Sequence, residues 1–201
     1  MLPELEALIT EVERTVEGGP ELRAILLGLR SNRVAVLVQQ DRCREAETEA
    51  TDILRAITRL AHLTEVWDTE LAALINLAGA LNGQSRYEEA EAIARGNLTR
   101  ADEITADGFR YVLARSLNGQ GQYEEALAEV RRLAPVGRAD SGKADLVKAR
   151  ALHGLGNLCE AEAAARQALA DCEQLLHPAH PRTQEARALL ALVTVEPPAP
   201  E

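Results

Sequence analysis

Apolar side chains recur along the chain at the three- and four-residue spacing that is typical of amphipathic helices. The first segment shows this spacing at six positions: Leu2, Leu5, Leu8, Ile9, Val12 and Val16. Gly18-Gly19-Pro20, Pro135 and His177-Pro178 interrupt the pattern. It predicts helices over about 3–16, 21–40, 44–63, 69–82, 86–104, 142–154, 157–176 and 182–193, and a pair of helices within 107–134. The chain is therefore predicted to be all-α.

A duplicated turn sets the register of these helices. Residues 81–92 and 117–128 are identical at nine of twelve positions, with an offset of 36 residues. Asn82-Gly83 and Asn118-Gly119 should end one helix, with the glycine in the left-handed conformation that follows a helix C-terminus. Tyr87 and Tyr123 should begin the next helix, with glutamates in its first turn, where carboxylates suit the helix dipole. The unit is therefore predicted to be a helical hairpin.

Fainter copies of this unit extend the repeat to four hairpins. Alanine follows each turn at 46, 90, 126 and 161, and the residue twelve positions earlier is Val34, Ala78, Ala114 or Ala149. Small residues at both places let two antiparallel helices pack closely, and periods of 20–50 residues indicate stacked solenoid units. We expect an N-terminal capping helix in 1–20, a repeat domain over 21–194 that ends in an unpaired helix, and a disordered proline-rich tail over 195–201.

The repeated residues resemble the tetratricopeptide repeat (TPR) family. The resemblance is carried in one unit by Leu77-Ala78, Leu81, Tyr87 and Ala90, and in the next by Leu113-Ala114, Leu117, Gly121, Tyr123 and Ala126. The repeat step from Ala46 to Ala90 is longer, at 44 residues. This longer step and the sequence His180-Pro181-Arg182-Thr183 are similar to the variety of the repeat found in kinesin light chains and in many high-GC bacterial proteins. The resemblance covers about residues 22–193 and implies a right-handed superhelix, or α-solenoid, of about four antiparallel hairpins with capping helices.

The same resemblance implies a ligand groove lined by the first helix, helix A, of each hairpin. The side chains expected to line it are Asn76, Asn82, Tyr111, Arg115, Asn118, Arg150 and His153. Arg115 and Arg150 occupy equivalent places 35 residues apart, and two guanidinium groups could hold a carboxylate or an acidic peptide. The alternative is that both arginines pair with glutamates of neighbouring helices on a solvated surface.

Composition narrows the possible partners and the compartment. The net charge of −10 argues against nucleic acid, whose binding relies on Lys and Arg at phosphates, and against anionic membranes. Of the 22 basic residues 20 are Arg, which with the abundant Ala suggests a GC-rich bacterial genome. No signal peptide and no apolar stretch of membrane-spanning length is seen. The three cysteines show no paired motif, so reduced thiols and a cytoplasmic location are expected.

Two short motifs carry possible chemistry, and neither is complete. Residues 137–144 fit the spacing of a phosphate-binding loop, but Ala144 stands where magnesium needs Ser or Thr, and no strand precedes it. Cys172, His177 and His180 could ligate a metal, but zinc generally takes four ligands. No catalytic triad or dyad can be assembled. We therefore expect no enzyme activity, no cofactor and no metal site.

The sequence leaves three functional hypotheses open. The first is a scaffold or adaptor that binds another protein or a peptide, with an acidic segment of it in the groove. The second is a ligand- or peptide-sensing module that regulates a partner protein. The third is a structural repeat protein that self-associates.

Overall fold

The computed structural model describes residues 2–15, 19–133 and 142–194 of the chain. Within these ranges the chain forms helices and no strand, which confirms the all-α prediction. The helices are α1 (Leu2–Thr15), α2 (Pro20–Gln39), α3 (Cys43–Leu60), α4 (Trp67–Gly83), α5 (Tyr87–Asn97), α6 (Glu103–Gly119), α7 (Tyr123–Val130), α8 (Lys143–Gly154), α9 (Leu158–Leu175) and α10 (Pro181–Thr194). The loop predicted at 135–142, most of the phosphate-loop motif and the tail at 195–201 lie outside the described residues.

The helices form two compact units, with the division inside α6. The first unit extends to Val112 and the second begins at Leu113. In the first, α2 packs on α3, α4 packs on both α3 and α5, and α1 packs on α2. In the second, α8 packs on α7 and α9, and α10 covers α8 and α9. The domain limits drawn from the sequence at residues 20 and 194 stay predictions.

The small residues of the repeat lie in the core, as their spacing predicted. Helices α3, α5, α7 and α9 are the second helices, or B helices, and each begins within one residue of its predicted start. The residues expected at the helix crossings all have 0 % exposure: Val34, Ala78, Ala114 and Ala149 on the A helices, and Ala46, Ala90, Ala126 and Ala161 on the B helices. Packing this close leaves no space for larger side chains at these places.

The turn between the two helices is the same in all four hairpins, but its left-handed residue is not the predicted glycine. The first residue after each turn donates its N–H to the carbonyl five residues earlier, over 2.9–3.0 Å, in the pairs Arg42–Leu37, Arg86–Leu81, Gln122–Leu117 and Asn157–Leu152. The residue with positive φ is Asp41, Ser85, Gly121 or Gly156. Gly83 and Gly119 are instead the last helical residues of α4 and α6.

Glycine is needed at the end of helix A because of close approach. A Cβ on Gly83 would overlap Cys43 Sγ, and a Cβ on Gly154 would overlap the Tyr123 ring. Cys43 and Tyr123 begin the B helix of the preceding hairpin in each case. The Tyr123 ring therefore packs against helix A of the next hairpin. These glycines therefore set the spacing between hairpins.

Several helix ends differ from the sequence-based prediction. Helix α5 ends at Asn97, directly after Gly96, and α7 ends at Val130. Helix α6 begins at Glu103, four residues before its predicted start, because Asp102 Oδ1 accepts the Thr105 N–H over 2.8 Å and caps the new first turn. Hydrogen bonds from the backbone and the side chain of Thr105 lower the pKa of Asp102. Asp68, the predicted cap of α4, lies inside the first turn of that helix.

Candidate functional site

In the first unit, the predicted groove asparagines are engaged in contacts between A helices. Asn76 Nδ2 donates to the carbonyl of Ser31 over 2.9 Å and to its Oγ over 3.1 Å. Asn82 is buried, and its Nδ2 donates to the carbonyl of Val112 over 2.9 Å. The first bond joins α4 to α2 and the second joins α4 to α6. Both amides therefore help to hold the helices in register, and Asn82, which is 6% exposed, offers little surface to a ligand.

The second unit repeats this arrangement one hairpin later. Asn118 Nδ2 donates to the carbonyl of Val147 over 2.9 Å and joins α6 to α8. Asn82 and Asn118 are 36 residues apart, the offset of the duplicated turn. The repeated asparagine therefore makes the same hydrogen bond between consecutive A helices in both units. Asn118 Oδ1 is buried and has no hydrogen-bond partner among the described residues.

The basic residues of the predicted groove in the second unit lie on α6 and α8, the two helices that Asn118 joins. Arg150, on α8, is exposed, and its Nη2 lies 3.0 Å from Glu185 Oε1 on α10. Glu185 follows Arg150 by 35 residues, so it occupies the equivalent place on the next A helix. His153 lies one turn beyond Arg150 and is half-buried, as is Arg115 on α6. An exposed pair such as Arg150–Glu185 contributes roughly 0–1 kcal/mol to stability, so a ligand can displace it at small cost.

Tyr111, the remaining predicted groove residue, belongs to the first unit. It lies on α6, one turn before Arg115, and is half-buried. Its assignment as a ligand contact stays a prediction, as do those of the other six groove residues. What the structure adds is a distinction between them: the amides of the asparagines hold neighbouring helices, whereas Arg150 faces solvent.

The two histidines considered as metal ligands cap a turn. His177 Nδ1 accepts the Ala179 N–H and His180 Nδ1 accepts the Arg182 N–H, both over 3.1 Å. Cys172 is buried, and burial raises the pKa of its thiol. No cluster of three metal-binding side chains occurs within residues 2–15, 19–133 and 142–194. The imidazoles therefore order the connection from α9 to α10, since each accepts a backbone hydrogen bond.

We expect this turn to weaken in mild acid. Burial, followed by the charge of Arg182, lowers the pKa of His180. At pH values below the ordinary histidine pKa of about 6.5, the unfolded chain therefore binds the proton more readily than the folded chain. The free energy of unfolding consequently decreases as the pH is lowered through that range. Above that pH both states are neutral and the contribution is fully present. His180→Asn keeps an acceptor that does not titrate.

Thermal melts between about pH 5 and pH 7.5 would check this expectation, since the window brackets the ordinary histidine pKa. The wild type should lose more stability on acidification than His180→Asn. Because carboxylates titrate in both proteins, the informative quantity is the difference between the two slopes. Parallel slopes would contradict the role given to His180.

None of the helices within the described ranges is both long enough and apolar enough to span a membrane.

Comparisons with known proteins identify the repeat. Family models described as tetratricopeptide repeat match residues 108–132 and, for a second model, 71–103 and 148–182. Two crystal structures of a putative kinesin light chain from Podosopora anserina with nearly identical TPR-like repeats are similar in fold. One has a TM-score of 0.55 at 18% identity, covering 89% of this chain and 87% of that one. The other, of a substituted form of the same protein, has a TM-score of 0.56 at 18% identity, covering 87% and 85%. No curated protein matches.

The matched ranges coincide with three of the four hairpins. The first hairpin, α2 and α3, falls outside them, yet it has the same turn hydrogen bond and the same buried crossing residues, Val34 and Ala46. The turn geometry and the buried crossing residues therefore agree in all four hairpins. The chain belongs to the tetratricopeptide repeat proteins.

Proposed function

We propose that this protein is a scaffold or adaptor that binds an acidic segment of another protein, with Arg115, Arg150 and His153 as contacts. Tetratricopeptide repeats generally mediate protein–protein interactions and are generally not enzymes. The observation that carries the proposal is the exposed pair of Arg150 with Glu185, at 3.0 Å across two consecutive A helices. A solvent-exposed guanidinium that pairs with one carboxylate can exchange it for a carboxylate of a ligand.

The register of the A helices supports a shared site on α6 and α8. Side chains at equivalent places on α8 and α10 make direct contact, since Arg150 and Glu185 are 35 residues apart. Arg115 precedes Arg150 by the same 35 residues, and Asn118 joins its helix to α8. A carboxylate bound near Arg150 would therefore be within reach of Arg115. Each charge-assisted contact would contribute about 1.5–3 kcal/mol.

Asn118 supports binding of an extended backbone at the same place. Its Oδ1 is buried and lacks a partner among the described side chains and backbone groups. Leaving such an acceptor unsatisfied costs about 1–3 kcal/mol. An N–H of a bound peptide that reaches this oxygen would remove the cost, and small side-chain movements would be needed to admit it.

A cytoplasmic location fits the cysteine pattern. Cys43, Cys159 and Cys172 show no paired motif in the sequence, and Cys43 and Cys172 are buried. Free thiols persist in reducing compartments, whereas secreted proteins generally form disulfides. Separating the soluble and surface fractions of the native cell, followed by detection of the protein, would test the location.

Reversing the charge of the two arginines should abolish most binding. Peptides selected from a random library on the wild type should be enriched in Asp and Glu. Arg115→Glu with Arg150→Glu should weaken the selected peptides by well over tenfold, because two charge-assisted contacts become repulsive. Binding should also weaken as salt rises, since these groups are partly exposed. Fluorescence anisotropy of labelled peptides would measure both effects.

The matched control is Arg166→Glu with Arg187→Glu, which makes the same change of charge at two exposed ion pairs. It should change affinity by less than about threefold, because only long-range electrostatics is altered. Circular dichroism would establish that all variants are folded. Retention of every peptide by the groove variant would refute the assignment, and equal loss in both variants would reduce it to an effect of net charge.

A further inference from the structure

Four large apolar side chains are exposed near the beginnings of the A helices of the first unit. Among the described residues, Ile104 is 84% exposed, Ile25 58%, Leu63 54% and Trp67 47%. Ile104 lies in the first turn of α6 and Trp67 is the first residue of α4, whereas Leu63 lies in the turn before α4. Soluble monomers rarely expose adjoining large apolar side chains without a function.

Contacts between the A helices place these residues at one edge of the unit. Gly28 faces Thr69, and Asn76 is bonded to Ser31, so α2 and α4 run side by side in the same direction. Gly108 faces Ile75, and Val112 accepts from Asn82, so α4 and the first part of α6 do the same. The beginnings of the three helices therefore share one side of the unit. We call Ile25, Leu63, Trp67 and Ile104 the N-terminal edge.

A cation–π contact joins Arg100 to Trp67 in this edge. The Arg100 guanidinium lies 4.5 Å from the centroid of the Trp67 ring. Its Nη2 is 2.9 Å from Glu70 Oε1 and its Nη1 donates to Asn97 Oδ1 over 2.8 Å. Ile104 follows Arg100 by one turn's length of chain. The indole is thus held in place by the segment that leads into Ile104, while about half of its surface stays exposed.

Charge around the edge indicates what could cover it. Residues 61–70 and 98–104 contain one arginine, Arg100, and one histidine, His62. Against these stand five carboxylates: Glu65, Asp68, Glu70, Asp102 and Glu103. A second copy of the chain would bring equal charges together, and an anionic bilayer or an acidic peptide would be repelled in the same way. A cationic segment with an apolar face is complementary in both respects.

We propose that the N-terminal edge docks a basic amphipathic helix of a partner protein. Apolar side chains of that helix pack on Leu63, Trp67 and Ile104, and its lysines or arginines pair with the surrounding carboxylates. This interaction is separate from the proposed binding of an acidic segment by Arg115 and Arg150. It uses residues of the other unit, and it selects a ligand of opposite charge.

Trp67 provides a direct readout because the chain contains one tryptophan. The probe is a synthetic helical peptide of leucine and lysine, with leucine at the i, i+3, i+4 spacing that forms one apolar face. Saturable binding with a blue shift of Trp67 emission is expected, since the indole loses water. Leu63→Asp with Ile104→Asp should weaken binding by roughly tenfold or more, because buried anchor residues dominate interface affinity. Glu65→Lys with Glu103→Lys should weaken it and reduce its dependence on salt.

The control variant is Leu175→Asp with Leu192→Asp, two exposed leucines of the second unit. It should bind the peptide as the wild type does, and circular dichroism should show that every variant is folded. Equal affinities of the edge and control variants would overturn the proposal, as would binding without a change in Trp67 emission. A leucine–glutamate peptide that binds equally well would refute the role of charge. A blue shift that grows with protein concentration alone would show that a second copy covers the edge, which would also overturn it.

Discussion

Replacing Ala90 with leucine should lower the free energy of unfolding by about 1–3 kcal/mol or more. Ala90 lies where α4 and α5 cross, and both Ala90 and its partner Ala78 have 0 % exposure. Three added carbon atoms must displace helix backbone there, because the opposing surface is already filled. Ala126→Leu should have the same effect in the third hairpin, where Ala114 is its fully buried partner.

Glu88→Ala and Glu124→Ala are the controls. Each glutamate lies two residues before one of these alanines, in the first turn of the same helix, and each is exposed. Exposed substitutions usually change stability by no more than about 0.5 kcal/mol. Thermal melts of the four variants would compare the two classes, since 1 kcal/mol corresponds to about 2–4 °C in a chain of this size. Similar shifts for alanine and glutamate positions would refute the helix register.

The hairpins could be predicted because their signals are local and repeated. A small residue must occur at the same point of every crossing, and the register from Ala46 to Ala161 records this requirement in the sequence. The same logic located the start of every B helix to within one residue. It failed at the ends of α5 and α6, since the choice between competing caps such as Asp102 depends on the packing of the turn before it.

Roles that depend on contacts between hairpins could not be predicted from this pattern. Asn82 and Asn118 are polar, repeated and placed on helix A, which suits a ligand contact and a structural hydrogen bond equally well. Their partners, Val112 and Val147, are 30 and 29 residues away and contribute only a carbonyl group. Side-chain identity therefore carries no signal for this bond. Gly83 was misread for the same reason, since Cys43 contacts it from another hairpin.

The arginines of the candidate groove show a different limit. An exposed arginine that pairs with a neighbouring glutamate and one that binds a ligand need the same position and the same exposure. Arg150 does pair with Glu185, as the alternative reading of the sequence anticipated. That pair is compatible with binding because it is exposed and weak.

Sequence reasoning missed a charged cluster inside the first hairpin. Glu49 of α3 is buried, with 9% of its side chain exposed, and it receives two arginines of α2. Its Oε1 lies 3.2 Å from Arg30 Nε and its Oε2 lies 2.6 Å from Arg33 Nη1. Arg33 Nε also lies 3.5 Å from Glu6 Oε1 on α1. The cluster thus joins three helices around one carboxylate that has little contact with water.

Removing both arginines should strongly destabilise the first hairpin. In Arg30→Met with Arg33→Met the methionines keep much of the apolar stem, so the main loss is the charge that compensates Glu49. Breaking a buried ion pair from one side costs about 3–5 kcal/mol, because the remaining ion is left desolvated. Chemical denaturation would measure this loss. The matched control, Arg55→Met with Arg166→Met, removes two exposed pairs and should cost no more than about 1 kcal/mol.

A third substitution separates lost attraction from a stranded charge. Adding Glu49→Leu to the arginine double variant removes the unpaired carboxylate and fills its volume with apolar atoms. Replacing a complete buried ion cluster by hydrophobic residues is often neutral or stabilising, so the triple variant should recover most of the lost stability. Glu49→Leu alone should be milder than the arginine double variant, since Arg30 and Arg33 each keep more than a quarter of their side-chain surface in water. A triple variant no more stable than the double variant would contradict the stranded charge of Glu49 as the cause of the loss.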